Sequence, residues 1–309
     1  MINRRELFKG LGATAALSLL PGLSEAAPRK KAARSFTYCL NMATIRGHHL
    51  GFIKELEITS KAGFNAVEIW IDSLQTYLKN GGTIREAKKR LDDAGINAEN
   101  AIGFAPWIVD DDAKRKAGLE QMKMEMDLLA QIGCKRTAAP PVGATDTAVL
   151  DLKKVAERYR AILELGEKIG VTPQLEMWGF SKNLSRVSEV MYVAIESGHP
   201  AAKVLLDVFH IYKGGSPVDT LSLISGSAID VLHINDYAAN IAPAVITDAD
   251  RIYPGDGVAP VRKILQNLGD REKPLIISFE VFNKEYYKQD ALEVAKTALS
   301  KMKAITAKI

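Results

Sequence analysis

Cysteine is scarce: Cys39 and Cys134 are the only two in a chain of 309 residues. One pair offers no spacing pattern that would mark a disulfide framework, so both are expected as small buried side chains. Histidine is nearly as rare, with five in all, and the formal net charge is only +4. That balance excludes the broad basic surface a nucleic-acid partner would require. Long apolar runs are missing too. The stretch from Leu11 to Leu20 is too short to span a bilayer stably. What remains is an ordinary globular composition, 47% hydrophobic and 25% charged, sufficient for one large core.

The N-terminus reads Asn3-Arg4-Arg5-Glu6-Leu7-Phe8-Lys9, then the apolar stretch, then Pro21 and small residues to Ala27. This order predicts a cleavable signal peptide over residues 1–26, of twin-arginine type, and hence a periplasmic or otherwise exported protein. The general secretory route stays open. No cysteine stands near the cleavage region, which argues against a lipid anchor. Residues 27–34, with Pro28-Arg29-Lys30-Lys31-Ala32-Ala33-Arg34, read as a solvated basic tail. Residues 35–309 are left for the fold, with no internal linker and no low-complexity segment.

From Ser35 onward, short β-rich apolar runs alternate with longer stretches at helical spacing. Strands are predicted at Phe36 to Ala43, Ala66 to Ile71, Ala98 to Phe104, Lys135 to Ala139, Thr172 to Met177, Lys203 to Asp207, Val231 to Ile234 and Leu275 to Val281. Between them lie helical signals. Asp111 to Ile132, for example, carries Leu119, Met122, Met126, Leu129 and Ile132 at spacings of three and four, with Gly133 at its stop. Gly63, Gly95, Gly170, Gly198 and Gly269 each close a similar run before a strand. Eight such pairs predict a single (β/α)8 TIM barrel, for which roughly 250 residues suffice.

Barrels of this kind place chemistry at the C-terminal ends of their strands. Strands five to eight end in Leu175-Glu176-Met177, Leu206-Asp207-Val208, Leu232-His233-Ile234 and Phe279-Glu280-Val281. Three carboxylates and an imidazole converging on one rim repel each other unless a cation sits among them. A set rich in oxygen with one nitrogen suits Mn²⁺, Mg²⁺, Co²⁺ or Zn²⁺. Taken singly, each of these residues is as readily a helix cap or a surface ion-pair partner; the repetition at four equivalent positions makes the case.

These residues resemble the xylose-isomerase-like sugar isomerase and epimerase superfamily. The resemblance implies Glu176, Asp207, His233 and Glu280 as metal ligands, with Asp207-Val208-Phe209-His210 and His233-Ile234-Asn235-Asp236 matching its Asp-x-x-His and His-x-x-Asp elements. The loop Thr247-Asp248-Ala249-Asp250-Arg251-Ile252-Tyr253-Pro254-Gly255-Asp256-Gly257, then Glu280-Val281-Phe282 and the opening Asn41-Met42-Ala43-Thr44, are similar to the 2-keto-myo-inositol (inosose) isomerase branch. Export distinguishes this chain from inosose isomerases that serve cytoplasmic inositol breakdown, so the particular polyol stays open.

The resemblance implies proton transfer through an enediolate on a keto-polyol, with Glu176 and Glu280 as the catalytic pair. His210 and Arg251 are expected to hold substrate oxygens. Asp236 is expected to orient Arg251 or His233, and Asn41 and Glu68 to line the other half of the pocket. Trp107, Trp178 and Phe104 are candidates for an apolar floor, with rim packing as the alternative. His48 and His49 read as loop residues. No phosphate cradle accompanies Pro254-Gly255-Asp256-Gly257. The partner is a small sugar or polyol, and a homo-oligomer is left open. A lyase or dehydratase acting on a keto-sugar or 3-keto-glycoside would use the same site, and a non-catalytic sugar-binding protein is the third reading. An apurinic-site endonuclease, on the same fold, would need more histidines and a basic groove.

Overall fold

Strand alternation sets what lies inside this protein before any helix is considered. The computed structural model describes residues 35–268, 273–307 and 309; the expected leader, the basic tail and the Gly269 stop lie outside the described residues. Eight strands form one sheet: β1 (Phe36–Asn41), β2 (Ala66–Trp70), β3 (Asn97–Ile102), β4 (Arg136–Ala139), β5 (Thr172–Glu176), β6 (Val204–Asp207), β7 (Val231–Ile234) and β8 (Leu275–Phe279). Their order is β3-β2-β1-β8-β7-β6-β5-β4, and the ladders are parallel. Each strand falls within or beside its expected run. The first stops at Asn41 because that side chain turns back to accept from the Ala43 amide and caps the 3₁₀ turn Met42–His48.

The barrel is nearly closed. Among the described residues no backbone ladder joins β3 to β4; side chains cross this seam instead. Thr137 Oγ1 donates to the Ala101 carbonyl at 3.3 Å and Arg136 Nη1 to the Glu99 carbonyl at 3.2 Å.

Inward-facing Cys39, Ala66, Ile102, Ala138, Leu205, Val231 and Ile276 form a small apolar cluster of their own inside the barrel. Their sequence neighbours Leu40, Val67, Leu206, Leu232 and Ile277 face outward into the main core. Two residues along each of several strands the same inward face turns polar, at Asn41, Glu68, Asp207, His233 and Ser278. Parity therefore stacks a polar layer on an apolar one. Cys39 and Cys134 are both buried and free.

The outer helices are α1 (Phe52–Lys61), α2 (Ile71–Lys79), α3 (Ile84–Asp93), α4 (Asp112–Gln131), α5 (Leu152–Ile169), α6 (Val187–Glu196), α7 (Val208–Lys213), α8 (Val261–Asn267) and α9 (Ala291–Thr306). Asp111 caps α4 by accepting from the Lys114 amide at 2.8 Å. Beyond the other end of that helix, Gly133 adopts φ 87°, the left-handed conformation that turns the chain towards the next strand. Strict alternation breaks twice. Two helices, α2 and α3, separate β2 from β3. After β6 the helix is only six residues long, because Gly214-Gly215-Ser216-Pro217 cannot continue it; two 3₁₀ turns, Val218–Leu223 and Gly226–Ala228, complete the return. No helix among the described residues is long and apolar enough to cross a membrane.

Candidate active site

Glu176 and Asp207 are the last residues of β5 and β6, His233 is the last but one of β7, and Glu280 directly follows β8. All four point into the barrel at its C-terminal end and are buried. His233 Nδ1 lies 3.1 Å from Glu280 Oε2, 3.6 Å from Asp207 Oδ2 and 3.9 Å from Glu176 Oε1. This nitrogen is buried without a hydrogen-bond partner, and so is Glu176 Oε2. Donor atoms of Asp207, His233 and Glu280 all lie within 4.8 Å of one another. Glu176 stands one step outside this trio. Acidic oxygens gathered around an unpartnered imidazole nitrogen fit a small divalent cation, whose bonds to nitrogen and oxygen run to about 2.0–2.2 Å for zinc.

A second polar tier fixes the first. His233 Nε2 donates to Glu68 Oε1 at 3.0 Å, which leaves Nδ1 facing the other carboxylates. Glu68 also accepts from Asn41 Nδ2 at 2.8 Å, Asn100 Nδ2 at 2.6 Å and Ser278 Oγ. Asn41 Nδ2 reaches Glu280 Oε1 as well, at 3.1 Å, while its Oδ1 accepts from Trp70 Nε1. Asn41 and Glu68, expected on the pocket wall, are fully buried beneath it; they act through His233 and Glu280. The reason is depth. Glu68 precedes the end of β2 by two residues, a full step down the inward face.

Arg251 arrives from the long connection between β7 and α8. Asp236 and Ile252 pair in an antiparallel bridge, and the Asp236 carboxylate accepts from the amides of Tyr237, Gly255, Gly257 and Ala259 at 2.7–3.1 Å. Its oxygens are thus occupied by backbone, so Asp236 shapes the loop rather than orienting Arg251 or His233 directly. A Cβ on Gly257 would stand 2.2 Å from the Tyr237 carbonyl oxygen, so only glycine allows this closure. At the loop's inner end, Arg251 is 1% exposed. Its Nη1 lies 2.8 Å from both Asp207 Oδ2 and Glu280 Oε2. Nη2 donates to Asp248 Oδ1 at 2.6 Å and to His210 Nε2 at 3.2 Å.

Above these groups opens a cavity of about 480 Å³, with Glu176, His210, Arg251 and Glu280 at its polar end and Thr247, Asp248 and Lys284 also on its lining. Phe104 and Trp178 line it as expected, joined by Trp70, Phe180 and Phe282. Trp107 does not reach it. That side chain is fully buried, donates from Nε1 to the Pro140 carbonyl at 2.9 Å and packs against Tyr159 of α5. His48 bonds through its ring to the carbonyls of Ile45 and Gln289, away from the cavity.

Residues 56–305 match the family model described as xylose isomerase-like TIM barrel. The chain belongs to this family. Among curated relatives, an inosose isomerase of Bacillus velezensis is 28% identical over 276 residues, covering 87% of this chain and 97% of that protein. A 3-dehydroshikimate dehydratase of Pseudomonas putida is 24% identical, covering 74% of this chain and 36% of its own length. The crystal structure of IOLI protein with a binding zinc atom superposes on this xylose isomerase-like barrel with a TM-score of 0.79 at 23% identity, covering 88% of this chain and 99% of the other.

In this xylose isomerase-like barrel the charges at the site are strongly differentiated. Burial, reinforced by Glu280 and Glu68, outweighs the attraction of His233 and pushes Glu176 up to about 8. Burial would also raise Asp207, but the Arg251 guanidinium holds it well below the usual carboxylate range. Glu68 is lowered despite its burial by the facing His233 and by the hydrogen bonds from Ser278 and Asn100. His210 is pushed down to about 4 by burial, beyond what Asp207 restores, so it is neutral at pH 7 and accepts from Arg251 at Nε2. Burial opposes a charge on His233 as well, but Glu280 and Glu68 raise it above the ordinary imidazole value; proton and cation compete for Nδ1.

Sequence reasoning missed Asn235, whose Nδ2 donates to both Asp207 oxygens, at 3.2 and 3.3 Å, and to the Glu280 carbonyl at 3.3 Å. It also missed Trp70, which two-residue alternation from Glu68 would have placed on the inward face.

Proposed function

We propose that this protein is a divalent-metal-dependent isomerase or epimerase that moves a proton on a keto-polyol of the inosose type by way of an enediolate. The observation that carries this reading is the pair Glu176 and Glu280. Both line one cavity, and both approach the unpartnered His233 Nδ1, at 3.9 and 3.1 Å. Glu176, Asp207, His233 through Nδ1, and Glu280 would hold the cation, which when bound supplies Lewis-acid stabilisation of negative charge developing on a carbonyl oxygen.

The protein's own groups do the rest. One of the two glutamates takes the proton from the carbon beside the carbonyl and the other returns it. Arg251, fixed by Asp248 and His210, presents a permanent positive charge to the developing enediolate, and His210 orients a substrate hydroxyl. Trp70, Phe104, Trp178, Phe180 and Phe282 give the cavity an apolar wall beside these groups. The similarity to inosose isomerases supports the substrate class. A second reading, elimination of a group β to the ketone, draws on the dehydratase relative and shares the proton-abstraction step. Export through residues 1–26 belongs to the same proposal, and N-terminal sequencing of the periplasmic protein tests it by the loss of that segment.

The deciding experiment is NMR of solvent deuterium exchange into inososes, free ketoses and 3-keto-glycosides with protein supplied with Mn²⁺ or Co²⁺. Exchange with a rearranged product, abolished by chelator and by Glu280→Gln, is expected. Loss of a leaving group would convert the reading to a lyase. Absence of exchange from every compound would overturn it in favour of a binding protein.

A further inference from the structure

The cavity wall is richer in aromatic rings than a small polyol requires. Phe282, Trp70, Phe104, Trp178, Phe180 and His210 follow one another around the mouth with successive centroid separations of 6.1, 5.2, 6.3, 5.3 and 5.6 Å, and all six line the cavity. They come from β2, from α7 and from the loops after β3, β5 and β8, so no single local motif explains their meeting. Folding does not explain it either. Phe104 is 39% exposed and Phe180 46%, among the few large apolar side chains left facing solvent. An exposed aromatic surface lining a concavity marks a place where something binds.

The arc is held in place. Trp70 donates from Nε1 to Asn41 Oδ1 at 3.1 Å, and the Arg46 guanidinium covers its ring at 4.1 Å while pairing with Asp72. Size points the same way. A six-carbon cyclic polyol has about a dozen non-hydrogen atoms and, even at the ~30 Å³ each that water takes in the liquid, fills at most about 360 Å³. The cavity offers about 480 Å³ and opens to solvent on its aromatic side. Of the rings in the arc, Phe104 and Phe180 are the most exposed.

We infer that the aromatic arc is a second subsite, and that the natural substrate is a keto-polyol carrying a further ring through an ether-type link, whose flat apolar face packs on Phe104, Trp178 and Phe180. The inference rests on the keto-polyol reading above for what occupies the floor. A sugar ring presenting its C–H face and an aryl group share this recognition chemistry, because each offers the rings a flat, weakly polar surface.

The test uses the Mn²⁺-loaded full protein and three probes with one keto ring and different attachments: the methyl, phenyl and glucosyl 3-keto-glucosides. Calorimetric titration gives Kd for each, and NMR follows deuterium exchange beside the carbonyl in the same samples. The phenyl or the glucosyl compound is expected to bind at least tenfold tighter than the methyl compound. In Phe104→Ala/Phe180→Ala, at the two most exposed positions of the arc, that preference is expected to fall to within about twofold, since each ring contributes about two- to tenfold. A preference for phenyl identifies an aryl attachment; one for glucosyl identifies a second sugar. Equal affinity for all three compounds would overturn the subsite, whether or not exchange occurs. Discrimination that survives both alanines would overturn the assignment to these rings. Discrimination that depends on them, with no exchange in any probe, would retain the subsite and overturn proton transfer on these keto-glycosides.

Discussion

Glu68→Gln isolates the charge behind His233 while keeping the side chain's shape. In the native protein Glu68 Oε1 faces His233 Nε2 and Asn100, and Oε2 faces Asn41 and Ser278. An amide can keep only one of these oxygens. If it keeps the one toward His233 and Asn100, the new NH₂ meets Asn41 Nδ2 and Ser278 Oγ. The serine hydroxyl can rotate and accept; the asparagine NH₂ cannot. One buried donor is then left opposed, worth about 1–3 kcal/mol of stability. The larger effect falls on the metal. With a neutral partner at Nε2, His233 becomes a poorer donor at Nδ1, and affinity should drop ~10–100-fold, equivalent to ~1.4–2.8 kcal/mol. Titration with buffered Zn²⁺ or Mn²⁺ measures the affinity, and urea unfolding in chelator measures stability. Because Glu68 titrates below its ordinary value in the fold, its contribution is present above the normal carboxylate range and is lost as pH falls through the folded value. The variant should lose that part of the acid dependence. Affinity within about threefold of native in a folded Glu68→Gln protein would refute the idea that this carboxylate tunes His233.

Three further outcomes are expected. Because burial raises Glu176 to about 8, its ionisation opposes folding in the metal-free protein; stability is full below its unfolded value near 4.5 and declines as pH rises through 8, by up to ~5 kcal/mol. Urea unfolding at pH 5 and pH 8 should show this decline in the native chain and not in Glu176→Gln. Asp236→Ala removes the acceptor of four loop amides, so faster hydrogen exchange is expected at Tyr237, Gly255, Gly257 and Ala259. The activity loss should fall mainly on kcat through a misplaced Arg251; unchanged exchange would contradict the loop-shaping role. Trp107→Phe should cost about 1–3 kcal/mol in thermal or urea unfolding through the lost Pro140 bond with KM unchanged, and a raised KM would return Trp107 to the pocket.

Much of the site was legible because its four central residues end apolar runs, a position that strand geometry translates into one rim. Glu176, Asp207, His233 and Glu280 needed nothing beyond that rule. Depth was harder to read. Asn41 and Glu68 carry the right chemistry on the right strands, yet one inward step separates a pocket wall from the tier beneath it, and the residue at which a strand ends is not visible in its composition. Trp107 illustrates the opposite difficulty: three residues past Phe104, its turn packs the indole against α5, whereas Phe104 stays at the mouth. The reach of the Asp236 carboxylate to Gly255, Gly257 and Ala259 depends on a 3D return of the chain, for which the glycines were the only hint.

The unladdered seam between β3 and β4 bears on how the protein would yield under stress. Opening at that joint would break side-chain bonds, such as Thr137 to Ala101 and Arg136 to Glu99, rather than a backbone ladder. β5, β6, β7 and β8 are consecutive in the sheet and each is joined to the next by a parallel ladder, so the four donor residues ride on one continuous arc. Breathing at the joint would admit water to the barrel's middle while leaving the spacing of those donors intact. Durability is thus unevenly distributed around the circle.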